Sequence, residues 1–342
     1  MTLPQRQVLI AGGAGFIGSH LVDRLLEAGD TVVVLDNFLT GRAENLSHLR
    51  GHERLEVVEG DVIDPIGPAI LARQFSHVVN AACAASPQRY QADPEHTLLT
   101  NVVGTRNLLR LAERDGAQLL LTSTSEIYGE PEVHPQPEDY RGSVNCTGPR
   151  ACYDEGKRAA EALCFDYDRA GRVEVRVVRI FNTYGPRMDP EDGRVVSNLL
   201  CQAIRGEPIT VYGDGQQTRS YCFVADLVEG LVRLMDHKGP QPGPINLGNP
   251  EELSVAELVG RVLALSGSRS AVTYLPLPQD DPRRRRPDIS RARDVLGWAP
   301  TTALDEGLGK THAHFAAELE AIFEAANEAG SDPDRPLLAA AE

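Results

Sequence analysis

The sequence predicts an α/β fold, a doubly wound parallel sheet followed by a smaller C-terminal α/β domain. Short apolar runs alternate with helical stretches as far as residue 181, the order that builds a parallel sheet covered on both faces. The first run, Val8-Leu9-Ile10-Ala11, leads directly into Gly12-Gly13-Ala14-Gly15-Phe16-Ile17-Gly18. Beyond residue 182 the pattern becomes irregular, with glycine and proline punctuating short segments such as Pro208 to Gly213.

After the glycines, Ser19 to Ala28 has helical periodicity, with Leu21, Val22, Leu25 and Leu26 on one side. The glycines read as Gly-x-Gly-x-x-Gly from Gly13 and as Gly-x-x-Gly-x-x-Gly from Gly12. They permit a tight turn and let the backbone approach a pyrophosphate seated on the helix N-terminus. Glycine spacing alone is weak evidence, but a strand before it and a helix behind it supply the context the mechanism needs. The sheet is therefore expected to be Rossmann-type, with a dinucleotide as ligand. A second strand, Thr31 to Leu35, ends in Asp36-Asn37. An acid there accepts both adenosine ribose hydroxyls and repels a 2′-phosphate, which favours NAD over NADP. Asp36 as a plain strand-end turn residue is the competing reading. Leu55 to Val58 leads to Asp61, a candidate for the adenine amino group, and His77 to Ala82 ends in small residues that let the nicotinamide ribose pass close. A helix over Thr97 to Ala112 and a strand over Gln118 to Leu121 follow.

That strand opens onto Thr122-Ser123-Thr124-Ser125-Glu126, and Tyr153 and Lys157 lie four residues apart on the next helix. Positions i and i+4 share a helix face. A cationic Lys157 there is expected to favour the Tyr153 phenolate and lower its pKa, leaving Thr124 to share a substrate hydroxyl. Tyr-x-x-x-Lys by itself is a common surface pair; its place after a strand ending in hydroxyls, and after the glycine motif, gives it weight.

The net charge of −15 argues against non-specific nucleic-acid binding, which needs a basic face. The six cysteines are scattered without metal-ligand spacing, so no metal site is expected, and reduced thiols in the cytoplasm are. No signal-peptide core and no run of membrane-spanning length is present. Arg187, Arg219 and the run Arg283 to Arg286 all lie in the irregular half. Guanidinium forks suit phosphate and carboxylate. Arg187 and Arg219, each near a strand end, are the better single candidates for a diphosphate. Most of the run is expected to be solvated, with one or two members turned inward. A sixth strand (Val173 to Phe181), a return to the main sheet over Ser220 to Met235 and Pro244 to Leu247, and a helix opened by a Ser254–Glu257 capping box complete the pattern.

From about Val8 to Trp298 the chain resembles the extended short-chain dehydrogenase/reductase family, and within it the UDP-glucuronate decarboxylases that form UDP-xylose. The motifs are Ala84-Ala85-Ser86-Pro87 with Tyr90, Thr122 to Gly129, Cys152 to Lys157, Phe181 to Met188, Asp192 to Asn198, and Asp281 to Asp288. The resemblance implies a cofactor set of Gly12, Gly15, Phe16, Ile17, Gly18, Asp36, Asn37, Thr40, Gly41, Asp61, Val62, Ala82, Thr100, Tyr153 and Lys157. It implies substrate contacts from Tyr90, Asn182, Arg187, Arg219 and Arg285. In the implied reaction Tyr153 takes the 4-hydroxyl proton, Thr124 assists, and Lys157 orders the nicotinamide ribose. Oxidation at C4 makes a β-keto acid, carbon dioxide leaves, and reduction of the ketone returns the cofactor to NAD. Ser125, Glu126 and Arg285 stand near the reacting carbons. Relatives that dehydrate nucleotide hexoses carry Asp-Glu where this chain has Ser125-Glu126, and serine is a poor acid for expelling water. Two departures stand out: Leu99 replaces a lysine that approaches substrate in the decarboxylases, and Arg141 replaces a frequent tryptophan.

The expected division is an NAD-binding domain over 1–181 to which 217–247 return, a nucleotide-sugar domain from 182–216 and 248–320, and a frayed tail over 321–342. A homodimer is expected by analogy, with no nucleic-acid or membrane partner. The alternatives are a 4-epimerase or 4,6-dehydratase of the same fold, or a non-catalytic dinucleotide-binding regulator. Release of the 4-keto pentose before the final reduction is a second possible outcome.

Overall fold

The computed structural model describes residues 6–277 and 284–330. The strands are β1 (Gln7–Ala11), β2 (Thr31–Asp36), β3 (Leu55–Glu59), β4 (His77–Asn80), β5 (Gln118–Thr124), β6 (Val175–Ile180), β7 (Thr183–Tyr184), β8 (Ile209–Tyr212), β9 (Thr218–Ser220), β10 (Cys222–Phe223), β11 (Pro244–Leu247), β12 (Glu252–Ser254), β13 (Val272–Leu275) and β14 (Arg284–Arg285). The helices are α1 (Phe16–Glu27), α2 (Pro68–Leu71), α3 (Pro87–Ala92), α4 (Pro94–Leu99), α5 (Thr105–Asp115), α6 (Ala151–Arg169), α7 (Val195–Arg205), α8 (Val224–Asp236), α9 (Val255–Ser266), α10 (Ser290–Leu296) and α11 (Leu304–Gly330).

Seven strands form one sheet in the order β11-β6-β5-β4-β1-β2-β3, every neighbouring pair parallel. Strand order reverses between β1 and β4, the place where an open α/β sheet leaves a crevice at its carboxyl ends. Leu21, Val22, Leu25 and Leu26 of α1 are buried, the face the periodicity marked. They join a core that continues through α8 to Leu199 of α7, Ile209 of β8, Trp298 and Phe315 of α11. A second core on the other face packs α5 and α6 against Leu119, Leu121, Val175 and Val177.

The helix expected over 97–112 is interrupted. Residues Thr100–Gly104 form a π turn between α4 and α5. Such an insertion turns side chains off the regular face and is common at functional sites. Here Asn101 is buried and donates to Thr97 O at 2.9 Å and Cys83 Sγ at 3.1 Å. Gly156 of α6 faces it so closely that a Cβ would lie 3.1 Å from the Asn101 side chain.

In the later half β12-β9-β14 form a three-stranded sheet and β13 pairs with β8. Ser254 caps α9 in a full capping box with Glu257. Helix α11 runs on to Gly330, past residue 321 where the tail was expected to begin. Arg283 and residues 331–342 lie outside the described residues. Among the described residues no helix is long and apolar enough to cross a membrane.

Candidate active site

The carboxyl ends of the strands open into one cavity of ≈ 530 Å³. Every residue expected at the site from the sequence lines it. At one end the glycine turn sets the shape. Gly12 has φ +82°, and a Cβ there would lie 2.5 Å from Ala81 O. A Cβ on Gly18 would lie 2.1 Å from Gly12 O, so α1 can approach the turn only with glycine at that position. Gly12, Gly15, Phe16, Ile17 and Gly18 wall the cavity at the N-terminus of α1. The backbone is thereby open to a phosphate pair and the helix dipole faces it.

Asp36, at the end of β2, accepts from Ala14 N at 2.8 Å and Phe38 N at 2.9 Å. These bonds aim the carboxylate, which keeps lone pairs for further donors. Burial pushes its pKa up, against those two hydrogen bonds. Gly41 faces the same carboxylate, and Asn37, Thr40 and Val62 lie beside it on the cavity wall. Asp61 accepts from Ile63 N at 3.0 Å, Asn37 Nδ2 at 2.6 Å and His96 Nε2 at 2.7 Å. Burial works to raise its pKa, but these bonds hold it below the ordinary value. This end fits a dinucleotide: a side-chain-free turn at a helix N-terminus, followed by an oriented acid at the end of the second strand.

The centre holds the tyrosine–lysine pair. Lys157 Nζ donates to Thr122 O at 2.9 Å and lies 5.8 Å from the Tyr153 ring centroid. Tyr153 stacks on Tyr90, with centroids 5.0 Å apart and planes inclined by 4°. Ala82 and Thr100 line the adjoining wall. The structure reverses the expected sign for Tyr153. Burial pushes its phenol well above the ordinary value, against a hydrogen bond with Thr124 that works downward. Burial also pushes Lys157 down, so the low-polarity pocket disfavours charge on both partners.

The far end is built from arginines. Parallel pairing of β14 with β9 sets Arg285 beside Arg219, while Arg284 faces out. The period of two along a strand is what separates the members of the run. Arg285 is 1% exposed, donates from Nη1 to Ser125 O at 2.7 Å, and reaches Glu126 Oε2 with Nη2 at 3.4 Å. Arg286 is held by its backbone, its N–H donating to Gln136 Oε1 at 2.8 Å. Burial works to raise the Glu126 pKa, but Arg285, Arg150 and Arg219 hold it below the ordinary range. Arg187 pairs with Asp23 of α1 at 2.7 Å, so its guanidinium is turned to that helix even though the residue lines the cavity. Asn182 lines the wall between the two ends.

Leu99 is 37% exposed and is not among the cavity-lining residues, and Arg141 is exposed. Arg150 was missed from sequence. It is buried at the start of α6, lines the cavity, and approaches Glu126 Oε2 with Nη1 at 3.4 Å. The available signal was its place one helical turn before Tyr153. Cys83 was also missed; it lines the cavity beside Asn101. Among the described residues no group of three or more His, Cys, Asp or Glu could hold a metal.

Residues 8–248 match the model of the NAD dependent epimerase/dehydratase family. The chain is 53% identical over 316 residues to UDP-glucuronic acid decarboxylase 1 of Danio rerio, covering 92% of this chain and 74% of that protein. It is 53% identical over 306 residues to UDP-glucuronic acid decarboxylase 3 of Arabidopsis thaliana, covering 89% and 87%. Among solved structures it is similar to UDP-glucuronic acid 4-epimerase from Bacillus cereus in complex with UDP-glucuronic acid and NAD. That match has a TM-score of 0.83 at 26% identity and covers 91% of this chain and 99% of the other. With the cradle, the tyrosine–lysine pair and these likenesses together, the chain belongs to the NAD dependent epimerase/dehydratase family, alongside the UDP-glucuronic acid decarboxylases.

Proposed function

We infer that this chain is a carboxy-lyase that decarboxylates UDP-glucuronate with a retained NAD and yields UDP-xylose. The observation that carries the reading is the grouping of Ser125, Glu126 and the buried Arg285 beside Tyr153 and Lys157, without an acid at position 125 to expel water. It favours loss of carbon dioxide over dehydration, and the relatives at 53% identity favour it over epimerisation.

When bound, NAD supplies the oxidation at C4 and the later reduction. The glycine turn and Asp36 would hold its pyrophosphate and adenosine ribose, with Asn37, Thr40, Gly41, Asp61 and Val62 around the adenosine. Ala82, Thr100 and Lys157 would flank the nicotinamide ribose. Tyr153 Oη would take the 4-hydroxyl proton as the phenolate and return it at the end, with Thr124 Oγ1 sharing that hydrogen bond and the positive charge of a bound oxidised nicotinamide opposing the burial that otherwise keeps the phenol protonated. A 4-ketone makes the sugar a β-keto acid, so the C5–carboxyl bond breaks to release carbon dioxide and its electron pair passes into an enolate. Donors around the 4-oxygen stabilise that charge. Arg285 orients the carboxylate, Glu126 orders the arginines, and a proton is then delivered to C5. Tyr90 and Asn182 would contact the sugar and Arg219 the diphosphate. Arg187, paired with Asp23, acts there only after turning away from that partner.

We assign 1–181 with 217–247 to cofactor binding and 182–216 with 248–320 to the nucleotide sugar. A homodimer through α5 and α6 is proposed, supported by family analogy and by their packing side by side. A light-scattering mass of one chain would count against it. The six free cysteines support a reducing, cytoplasmic setting.

The test is incubation with UDP-glucuronate and NAD, followed by mass spectrometry and proton NMR. A product lighter by carbon dioxide with xylose signals is expected. A hydrated 4-keto pentose with accumulating NADH would mean release before the return step. No loss of carbon dioxide would overturn the reading.

A further inference from the structure

Asp154 follows Tyr153 in α6, and the reaction as derived makes no use of it. It is 7% exposed and does not line the cavity; it lies one turn along α6 from Arg150, whose guanidinium meets Glu126. Its Oδ1 is buried with no hydrogen-bond partner. A buried ionised carboxylate with an orphaned oxygen is costly, whereas a neutral acid is far less so. Its backbone N–H donates to Arg150 O at 3.1 Å, which places it one turn from Arg150 on the same side of the helix. The charges that act on it are Glu126, in the turn after β5, Arg285 of β14, and Arg150 and Glu155 of its own helix, with the titratable Tyr90 of α3 and Cys152 of α6 in the same field.

Arg150 and Arg285 both converge on Glu126 Oε2, at 3.4 Å each. An ionised Asp154 would add a second negative charge to the field of those two guanidiniums. It would also remove one positive charge from what they offer an arriving uronate.

Resting on the decarboxylase reading above, we propose that Asp154 is a positioning residue that works as a neutral carboxylic acid one turn from Arg150, adding no second anion near the Arg150–Glu126–Arg285 cluster where the substrate carboxylate is to be held. Two influences oppose this: the first turn of a helix favours an anion, and so do the two arginines. Burial and the Glu126 charge outweigh them and push the Asp154 carboxyl up to about 8. The consequence is a charge-selective alkaline limb. Above that pH Asp154 ionises and recognition of a sugar carboxylate weakens, while recognition of a neutral sugar on the same nucleotide changes little.

The experiment is titration calorimetry on the NAD-loaded protein from pH 6.5 to 9.5, with UDP-glucuronate and UDP-xylose as probes. For the unaltered chain the expected result is a Kd for UDP-glucuronate that weakens about tenfold or more between pH 7 and 9.5, with a change of less than about threefold for UDP-xylose. Asp154→Asn, which cannot ionise, is expected to remove that difference. Equal limbs for the two nucleotides, or an alkaline limb that persists in Asp154→Asn, would overturn the proposal. A purely structural role predicts uniform weakening at every pH, which would also overturn it. If Asp154→Asn does not fold, Asp154→Ser and the two-nucleotide comparison on the unaltered chain decide the matter. Failure to bind UDP-glucuronate at pH 7 would overturn the decarboxylase reading itself, an outcome distinct from pH-independent binding.

Discussion

The two ends of the cavity are built on different principles. The dinucleotide end is one strand, one turn and one helix in unbroken succession, with an acid supplied by the next strand. Its geometry is set by backbone and by missing side chains, as the Gly12–Gly18 approach shows. The carboxylate end instead gathers Glu126, Arg150, Arg219 and Arg285, contributed by a 3-10 turn, the start of α6 and two short strands. No two of them belong to one local motif, and charge rather than shape organises them. The first end leaves little room for a side chain at the turn and takes its charge from a helix N-terminus and from Asp36. The second depends on every charge near it.

Substitutions can separate the two ends, and the largest effect is expected between them. Tyr153→Phe keeps the ring stacked on Tyr90 but removes the oxygen proposed to carry the proton. Turnover should fall about a thousandfold while NAD affinity stays unchanged by fluorescence titration. Equal loss of both would mean that the stack, and not the hydroxyl, matters. At the carboxylate end, Arg285→Ala takes one guanidinium from Glu126 and leaves a buried charge less compensated. A drop of about a hundredfold in kcat/KM for UDP-glucuronate is expected, with NAD affinity within about twofold. Gly18→Ala tests the opposite end. Its Cβ would strike Gly12 O, so NAD affinity should weaken about tenfold and stability should fall by about 1–3 kcal/mol in denaturant titration.

Smaller effects mark the parts that belong to neither end. Ser254→Ala opens the capping box of α9 and should cost about 1 kcal/mol of stability with kcat unchanged. Leu99→Lys introduces the cation that the resemblance implies, at an exposed position away from the cavity lining. A change in KM below about twofold is expected; a large gain in affinity would mean that the carboxylate end extends to α4.

The protonation of Asp154 also links the site to stability. Its carboxyl is raised from the ordinary 3.8 to about 8 in the folded chain, so between those values the folded state binds the extra proton. Its contribution to stability is therefore greatest below about pH 4 and is lost as the pH rises toward 8. The thermal midpoint of Asp154→Asn should gain on that of the unaltered chain as the pH rises through this window.

Local patterns were sufficient for the sheet, the glycine turn, the Ser254 cap and the spacing of Tyr153 and Lys157. Each is encoded within a few residues by periodicity, by the absence of a Cβ or by a single helical turn. The interruption at Thr100–Gly104 was not legible, because a π turn is held by the burial of Asn101 against Gly156, a tertiary contact. The sign of the Tyr153 shift was not legible either. Charge proximity can be read from i, i+4 spacing, but the opposing desolvation depends on how much of the chain closes over the ring. Arg150 escaped notice because what it meets, Glu126, is 24 residues away in sequence.

By itself the sequence determined the fold class, the glycine turn ahead of α1 and the spacing of Tyr153 and Lys157, since these depend on short-range backbone geometry and residue chemistry. Only the tertiary structure decided which arginine of the Arg284–Arg286 segment is buried at Glu126, that Arg187 turns to Asp23, and that Leu99 stands off the cavity lining. Those outcomes follow from burial and from charge pairing between distant segments, and both depend on where folding brings the segments together.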